Sequence, residues 1–156
     1  EISECLVGSE MCIRDRNWHA VLIGILSGVL SSLGAILGMA MLFRFSHEEY
    51  VTFLPKSITT AIGMGVSEKL GGYVSISVAA IIITGVLGNI FAEIVFRLFR
   101  IHEPVAKGIA LGTASHAIGT AKAMELGEVE GAMSSLSIVV AGLITVIGAT
   151  IFSHIM

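Results

Sequence analysis

The chain has 156 residues, of which 54% are hydrophobic and only 13% charged, and its net charge is −3. Soluble domains carry about 25% charged residues, so an ordinary soluble domain and a disordered chain are both excluded, and the acidic balance leaves no footprint for nucleic acid. A mean hydropathy of +0.91, with 18 glycines against two prolines, predicts closely packed helices in a lipid bilayer.

The first stretch does not match the rest. Residues 1–16 read EISECLVGSEMCIRDR and hold both cysteines together with a cluster of charges. No disulfide framework or cysteine metal site therefore holds the apolar part. The stretch lacks the basic start and continuous apolar run of a signal peptide. It reads as a non-native or solvated leader ahead of one transmembrane domain, residues 17–156.

Three apolar runs follow in chain order. Residues 18–43 are long enough to cross the ~30 Å hydrocarbon core with tilt; Gly24 and Gly28, then Gly34 and Gly38, make two GxxxG pairs that let another helix approach. Residues 73–96 form a second span, interrupted by Asn89 and Glu93 and ended by Arg97 and Arg100. Residues 132–155 form a third.

Between them lie two segments of another kind. Residues 54–70 read LPKSITTAIGMGVSEKL and residues 108–124 read GIALGTASHAIGTAKAM. Both are near the lower length limit of a span, and both are rich in Gly, Ser and Thr. Polar backbone at membrane depth survives only inside protein or beside a water-filled cavity. Both are expected to be short, broken or re-entrant helices packed against each other. The fold class is thus all-α, a polytopic membrane helix bundle.

The two segments align at an offset of 56 residues: Ala61-Ile62-Gly63 with Ala117-Ile118-Gly119, and Leu70-Gly71 with Leu126-Gly127. Ser57 then falls on Thr113, Thr59 on Ser115 and Thr60 on His116. Paired interrupted segments in two repeats are the pattern that marks a transporter's substrate site. Charge bias suggests an orientation. Arg44 and Lys56 flank one loop, and Arg97, Arg100 and Lys107 crowd another. Placing both inside makes both short segments cross outward and leaves residues 125–130 outside.

Continuous helical spacing puts Thr113, His116 and Thr120 on one face, with Ser115 and Lys122 on the neighbouring stripe; Lys56, Ser57, Thr59 and Thr60 are the first segment's counterparts. Hydroxyls plus a cation are what a carboxylate needs, so these nine residues are the candidate substrate site. His116, with an ordinary pKa near 6.5, suits proton coupling. Glu93 and Arg97, four residues apart, read as an ion pair. No nucleophile–base set, cofactor loop or metal-ligand cluster is visible, and an enzyme is not expected.

The words LPKSITTAI, ITGVLGNIF and KGIALGTASHAIGTAKAMELGEVEGAMSSLSI closely resemble the LrgB/CidB family of bacterial membrane proteins. The resemblance runs from about Trp18 to the C-terminus. Relatives carry further N-terminal spans, so it implies an N-terminally truncated domain in the bacterial cytoplasmic membrane. The resemblance implies one of two functions. One is transport of a small carboxylate, of the pyruvate or glycolate/glycerate kind, with a small LrgA/CidA-type membrane partner. The other is antiholin-like regulation of murein hydrolase export and autolysis, with GxxxG surfaces, Gly108 and Gly112 included, serving a homo-oligomer.

Overall fold

The computed structural model describes the backbone of residues 2–155 and the side chains of residues 18–155, and the expected leader over 1–16 lies outside the described side chains. Six helices follow one another: α1 (Ile2–Phe43), α2 (His47–Phe53), α3 (Thr60–Leu70), α4 (Val74–Leu98), α5 (Pro104–Leu126) and α6 (Glu128–Phe152). Among the described residues there is no strand. Trp18–Phe43, Val74–Leu98 and Glu128–Phe152 are each long and apolar enough to cross a membrane. Ile23, Leu30, Ile83, Ile90, Leu143 and Ile147 point outward from these helices, while Ser67, Ser77, Ser134 and Ser137 are wholly buried. Apolar outside with hydroxyls inside suits a lipid solvent.

Local chemistry sets the helix ends. Ser46 and Glu49 form a capping box that starts α2, satisfying two orphan amides. Pro104 opens α5, where its missing N–H costs nothing. Gly71 closes α3 at φ 82°, a left-handed position that glycine tolerates without a Cβ clash.

Pairwise contacts give every helix a direction. Gly24 faces Ile109 and Gly28 faces Thr113, so α1 runs parallel to the first half of α5. Gly108 faces Glu130 and Gly112 faces Ser134, so α6 runs parallel to that half too. Gly88 abuts Ser115 and Phe96 clusters with Leu111, so α4 runs opposite to it. Beyond residue 116 the direction reverses. His116 meets Ile81, Asn89 bonds the Ile118 carbonyl, and Lys122 pairs with Glu93. The second half of α5 therefore runs parallel to α4. A Cβ on Gly119 would lie 2.7 Å from the Leu111 carbonyl oxygen, which is possible only if α5 doubles back on itself. Residues 104–126 are a re-entrant hairpin whose two ends share the face that carries Arg100.

The first segment is a hairpin of the same kind, entered from the opposite face. Ser67 bonds Ser77 at 2.7 Å, and Gly63 abuts Ile81, so α3 runs antiparallel to α4. The Tyr73 amide donates to Thr52 Oγ1 at 2.8 Å, and the Tyr73 hydroxyl donates to Glu48 at 2.6 Å. The end of α3 thus returns to α2, beside the end of α1, where Phe45 packs on Phe53. Residues 47–70 enter from the face carrying Phe43 and leave by it.

The architecture is thus an inverted repeat. Each unit is a re-entrant hairpin, a glycine (Gly71 or Gly127) and a 25-residue helix, α4 or α6. The sequence offset of 56 carries Gly71 onto Gly127 and Thr60, where α3 begins, onto His116, where α5 breaks. The 17-residue segments do not cross, because each turns back at mid-depth. Residues 125–130 consequently lie on the Arg100 face, not opposite to it, and Lys56 belongs to no surface loop. Contact between the segments also differs from expectation: α3 packs mainly on α4 and touches α6, without extensive packing on α5, and the two hairpins approach each other at their tips. Gly108 and Gly112 are consumed by α6, and Gly24 and Gly28 by α5; Gly34 and Gly38 face open space.

Candidate functional site

The first tip is the non-helical link between α2 and α3. Pro55 cannot continue a helix from Phe53, and the chain turns through bonds from the Lys56 amide to the Phe53 carbonyl and from the Ile58 amide to the Pro55 carbonyl. Leu54 and Pro55 are fully buried, which carries Lys56 and Ser57 inward to Ser32 of α1. Ser32 lies about 16 Å from Phe43 along the helix, half the thickness of a ~30 Å core. The Lys56 ammonium donates to Ser32 Oγ at 3.1 Å and to Ser57 Oγ at 3.0 Å, and the two hydroxyls bond each other at 2.9 Å. Among the described residues no carboxylate pairs with Lys56.

The second tip is a single residue. His116 has φ 42° and ψ −135°, a conformation costing about 1–3 kcal/mol outside glycine. Its ring holds it there. Nε2 lies 2.9 Å from the Ile81 carbonyl; a carbonyl only accepts, so Nε2 carries the proton. The ring fits because residue 85 is glycine, where a Cβ would sit 2.7 Å from Cε1. The reversal delivers Thr113 and Ser115 to the first tip.

Between the tips lies a cavity of about 360 Å³, walled by Lys56 and Ser57, by Thr113 and Ser115, by Ser31 and Ser32 of α1, and by Thr84 of α4. Ser115 Oγ lies against Gly88 on this wall.

Of the nine residues singled out by sequence, Lys56, Ser57, Thr113 and Ser115 converge here. The other five do not. The His116 ring turns to α4, because the break removes the shared helical face that spacing assumed. Thr120 donates to the His116 carbonyl and bonds Ser134 at 2.7 Å, away from the cavity. Thr59 and Thr60 begin α3 and are absent from the cavity wall. Lys122 pairs with Glu93 at 2.9 Å and Glu125 at 3.2 Å at the Arg100 face. Glu93 also meets Arg97 at 3.4 Å as spacing predicted, but more loosely than it meets Lys122. Ser31, Ser32 and Thr84 were not singled out from the sequence. Their only signal is a hydroxyl in the middle of an apolar span, which by itself fits helix–helix packing equally well.

The profile described as the LrgB-like family matches residues 10–155 of the chain. The chain belongs to the LrgB-like family. No solved structure matches it significantly. Family membership and three apolar spans make this LrgB-like chain a membrane protein. Its inverted repeat places one lysine and a ring of hydroxyls at the meeting point of two re-entrant tips, near mid-depth.

Proposed function

We propose that this LrgB-like protein carries small monocarboxylates or hydroxy acids across the bacterial cytoplasmic membrane without altering them chemically. The observation that carries this reading is Lys56, a cation near mid-depth whose partners are two serine hydroxyls. Holding a charge at that depth costs about 2.5–3.5 kcal/mol on insertion scales, and an anion would offset the cost. A carboxylate accepts from an ammonium and several hydroxyls at once, and the cavity suits an acid of two or three carbons. Inverted repeats whose interrupted helices meet at mid-depth are the usual frame for alternating access. The basic side chains Arg97, Arg100, Lys107 and Lys122 favour a cytoplasmic Arg100 face. A small LrgA/CidA-type membrane protein is the proposed partner.

The test is uptake of labelled pyruvate and glycolate into proteoliposomes, with and without that partner. Saturable uptake that unlabelled short carboxylates compete away supports the reading. One observation favours the antiholin-like alternative: Gly34 and Gly38 form a GxxxG pair with nothing against it, a surface on which another helix can dock. Absence of uptake under every condition, together with loss of self-association in Gly34→Leu, would favour that regulator.

A further inference from the structure

A second, larger cavity touches the first. About 830 Å³ in volume, it lies between α1 and the first half of α5, and its walls run from Glu103 and Pro104 at the Arg100 face inward to Ser27, Gly28 and Thr113. Gly28, Thr113 and Ala114 also wall the tip cavity. The two spaces therefore share one partition, formed by a glycine on α1 against a threonine on α5. A Cβ at residue 28 would lie 2.9 Å from Thr113 Oγ1 and 3.1 Å from its Cβ, too close without displacement. Thr113 cannot easily turn away, because its hydroxyl bonds the Ile109 carbonyl at 2.8 Å.

Towards the Phe43 face the tip cavity is plugged. Tyr50, Leu54 and Pro55 are fully buried between Lys56 and the Phe43 face, with Leu33 and Ile36 beside them. The Tyr50 hydroxyl donates to the Phe152 carbonyl at 3.1 Å, tying this plug to the end of α6.

We infer that the vestibule between α1 and α5 is the solute's route to the tip site from the Arg100 face, and that Gly28 and Thr113 set the size of what passes. The inference rests on the proposed transport reading for its solute, a short carboxylate, but the route itself is a matter of water access. The vestibule wall is largely aliphatic, with Ser27 and Thr113 as its inner polar groups, so a small anion crosses it with its own hydration and sheds water at the partition. Bulk at residue 28 closes the partition; removal of the Thr113 side chain opens it.

The experiment uses the full chain in proteoliposomes of one orientation, with Ser57→Cys as a reporter at the tip and an impermeant thiol reagent as the probe, native cysteines having been changed to serine. Labelling from the Arg100 face is expected to fall at least tenfold in Gly28→Val and to rise severalfold in Thr113→Ala. Reagent applied from the Phe43 face should label slowly in all three. Uptake is read in parallel, and Gly28→Ala is expected to reduce pyruvate uptake more than glycolate uptake. An unchanged labelling rate in Gly28→Val, or faster labelling from the Phe43 face, overturns the route even if transport is normal. Failure of wild-type uptake with the labelling pattern intact overturns the transport reading and leaves the route standing. Should Gly28→Val fail to assemble, the Thr113→Ala increase decides alone, because it widens a gap and needs no repacking.

Discussion

The two hairpins have the same plan and different chemistry. The first reverses over six residues, 54–59, and places a lysine at its tip; the second reverses at one residue, His116, and places hydroxyls there. Their packing differs as well. The first is stitched to α4 by the buried Ser77 hydroxyl, which bonds the Thr52 carbonyl and Ser67 Oγ, and by Thr52 Oγ1, which accepts from the Tyr73 amide at the start of α4. The second lies backbone to backbone on α6, because Gly108 and Gly112 carry no side chain to hold the helices apart. Symmetry thus supplies two tips at one depth, and the asymmetry of their side chains supplies a site with one cation. A second lysine at Thr113, the position paired with Ser57, would double a desolvated charge.

The difference predicts unequal responses to mutation. The largest expected effect is at the first tip. Lys56→Met removes a charge-assisted hydrogen-bond donor worth about 2–3 kcal/mol to a bound anion, which corresponds to roughly 30- to 150-fold weaker carboxylate binding. Uptake kinetics should show this loss while the melting temperature holds or rises, since an uncompensated charge has gone.

The next effect is at the second hairpin's seam. Gly112→Ala places a Cβ 2.8 Å from Ser137 Cβ and 2.5 Å from the Ser134 carbonyl oxygen, and overpacking of this kind costs about 1–3 kcal/mol. Gly63→Ala in the first hairpin meets only the end of the flexible Ile81 side chain and should lower the melting temperature clearly less. Equal destabilisation would erase the packing distinction between the hairpins.

His116 gives a smaller and more diagnostic effect. If its ring holds a strained turn against Ile81, His116→Ala keeps the strain and loses the bond, whereas His116→Gly relieves the strain. His116→Gly should then be the more stable variant by about 1 kcal/mol, the reverse of the usual helix order. A glycine variant less stable than the alanine variant would show that position 116 is ordinary helix.

The smallest effect is at the Phe43 face, where Tyr73 donates to Glu48. Glu48 holds this phenol above its ordinary value of 10. A raised value in the fold means that the bond is intact at neutral pH and is lost only as pH climbs past it. Tyr73→Phe should leave uptake unchanged between pH 6 and 8 and shift the melting temperature only slightly.

Much of this frame was legible in the sequence. The 56-residue offset, which pairs Leu70-Gly71 with Leu126-Gly127, marked out the two interrupted segments and the glycines that end them. Hydroxyls and cations in apolar surroundings picked out Lys56, Ser57, Thr113 and Ser115, which meet at the tips, together with five residues that do not. What failed was direction. A 17-residue polar segment fits a short crossing and a hairpin equally well by length, and loop-charge counting favoured the crossing because it assigned Lys56 to a loop. Once Lys56 lies at a tip, Arg44 and Lys69 remain at one face against Arg97, Arg100, Lys107 and Lys122 at the other. The same assumption of unbroken helix put His116 beside Thr113 and Thr120 and put Lys122 near the site, when the turn at residue 116 sends Lys122 back to Glu93. Ser31 and Ser32 escaped notice because a serine pair in an apolar helix reads as helix–helix glue until a lysine is seen to reach it.

The central claim is that a carboxylate binds between the tips on Lys56. Equilibrium binding of glycolate to the purified protein in nanodiscs, by titration calorimetry, tests it most directly in wild type, Lys56→Arg and Lys56→Met. Saturable binding in wild type, weakened in Lys56→Arg and weakened by roughly 30- to 150-fold in Lys56→Met with folding intact, is the predicted result. Equal affinity in wild type and Lys56→Met would contradict it.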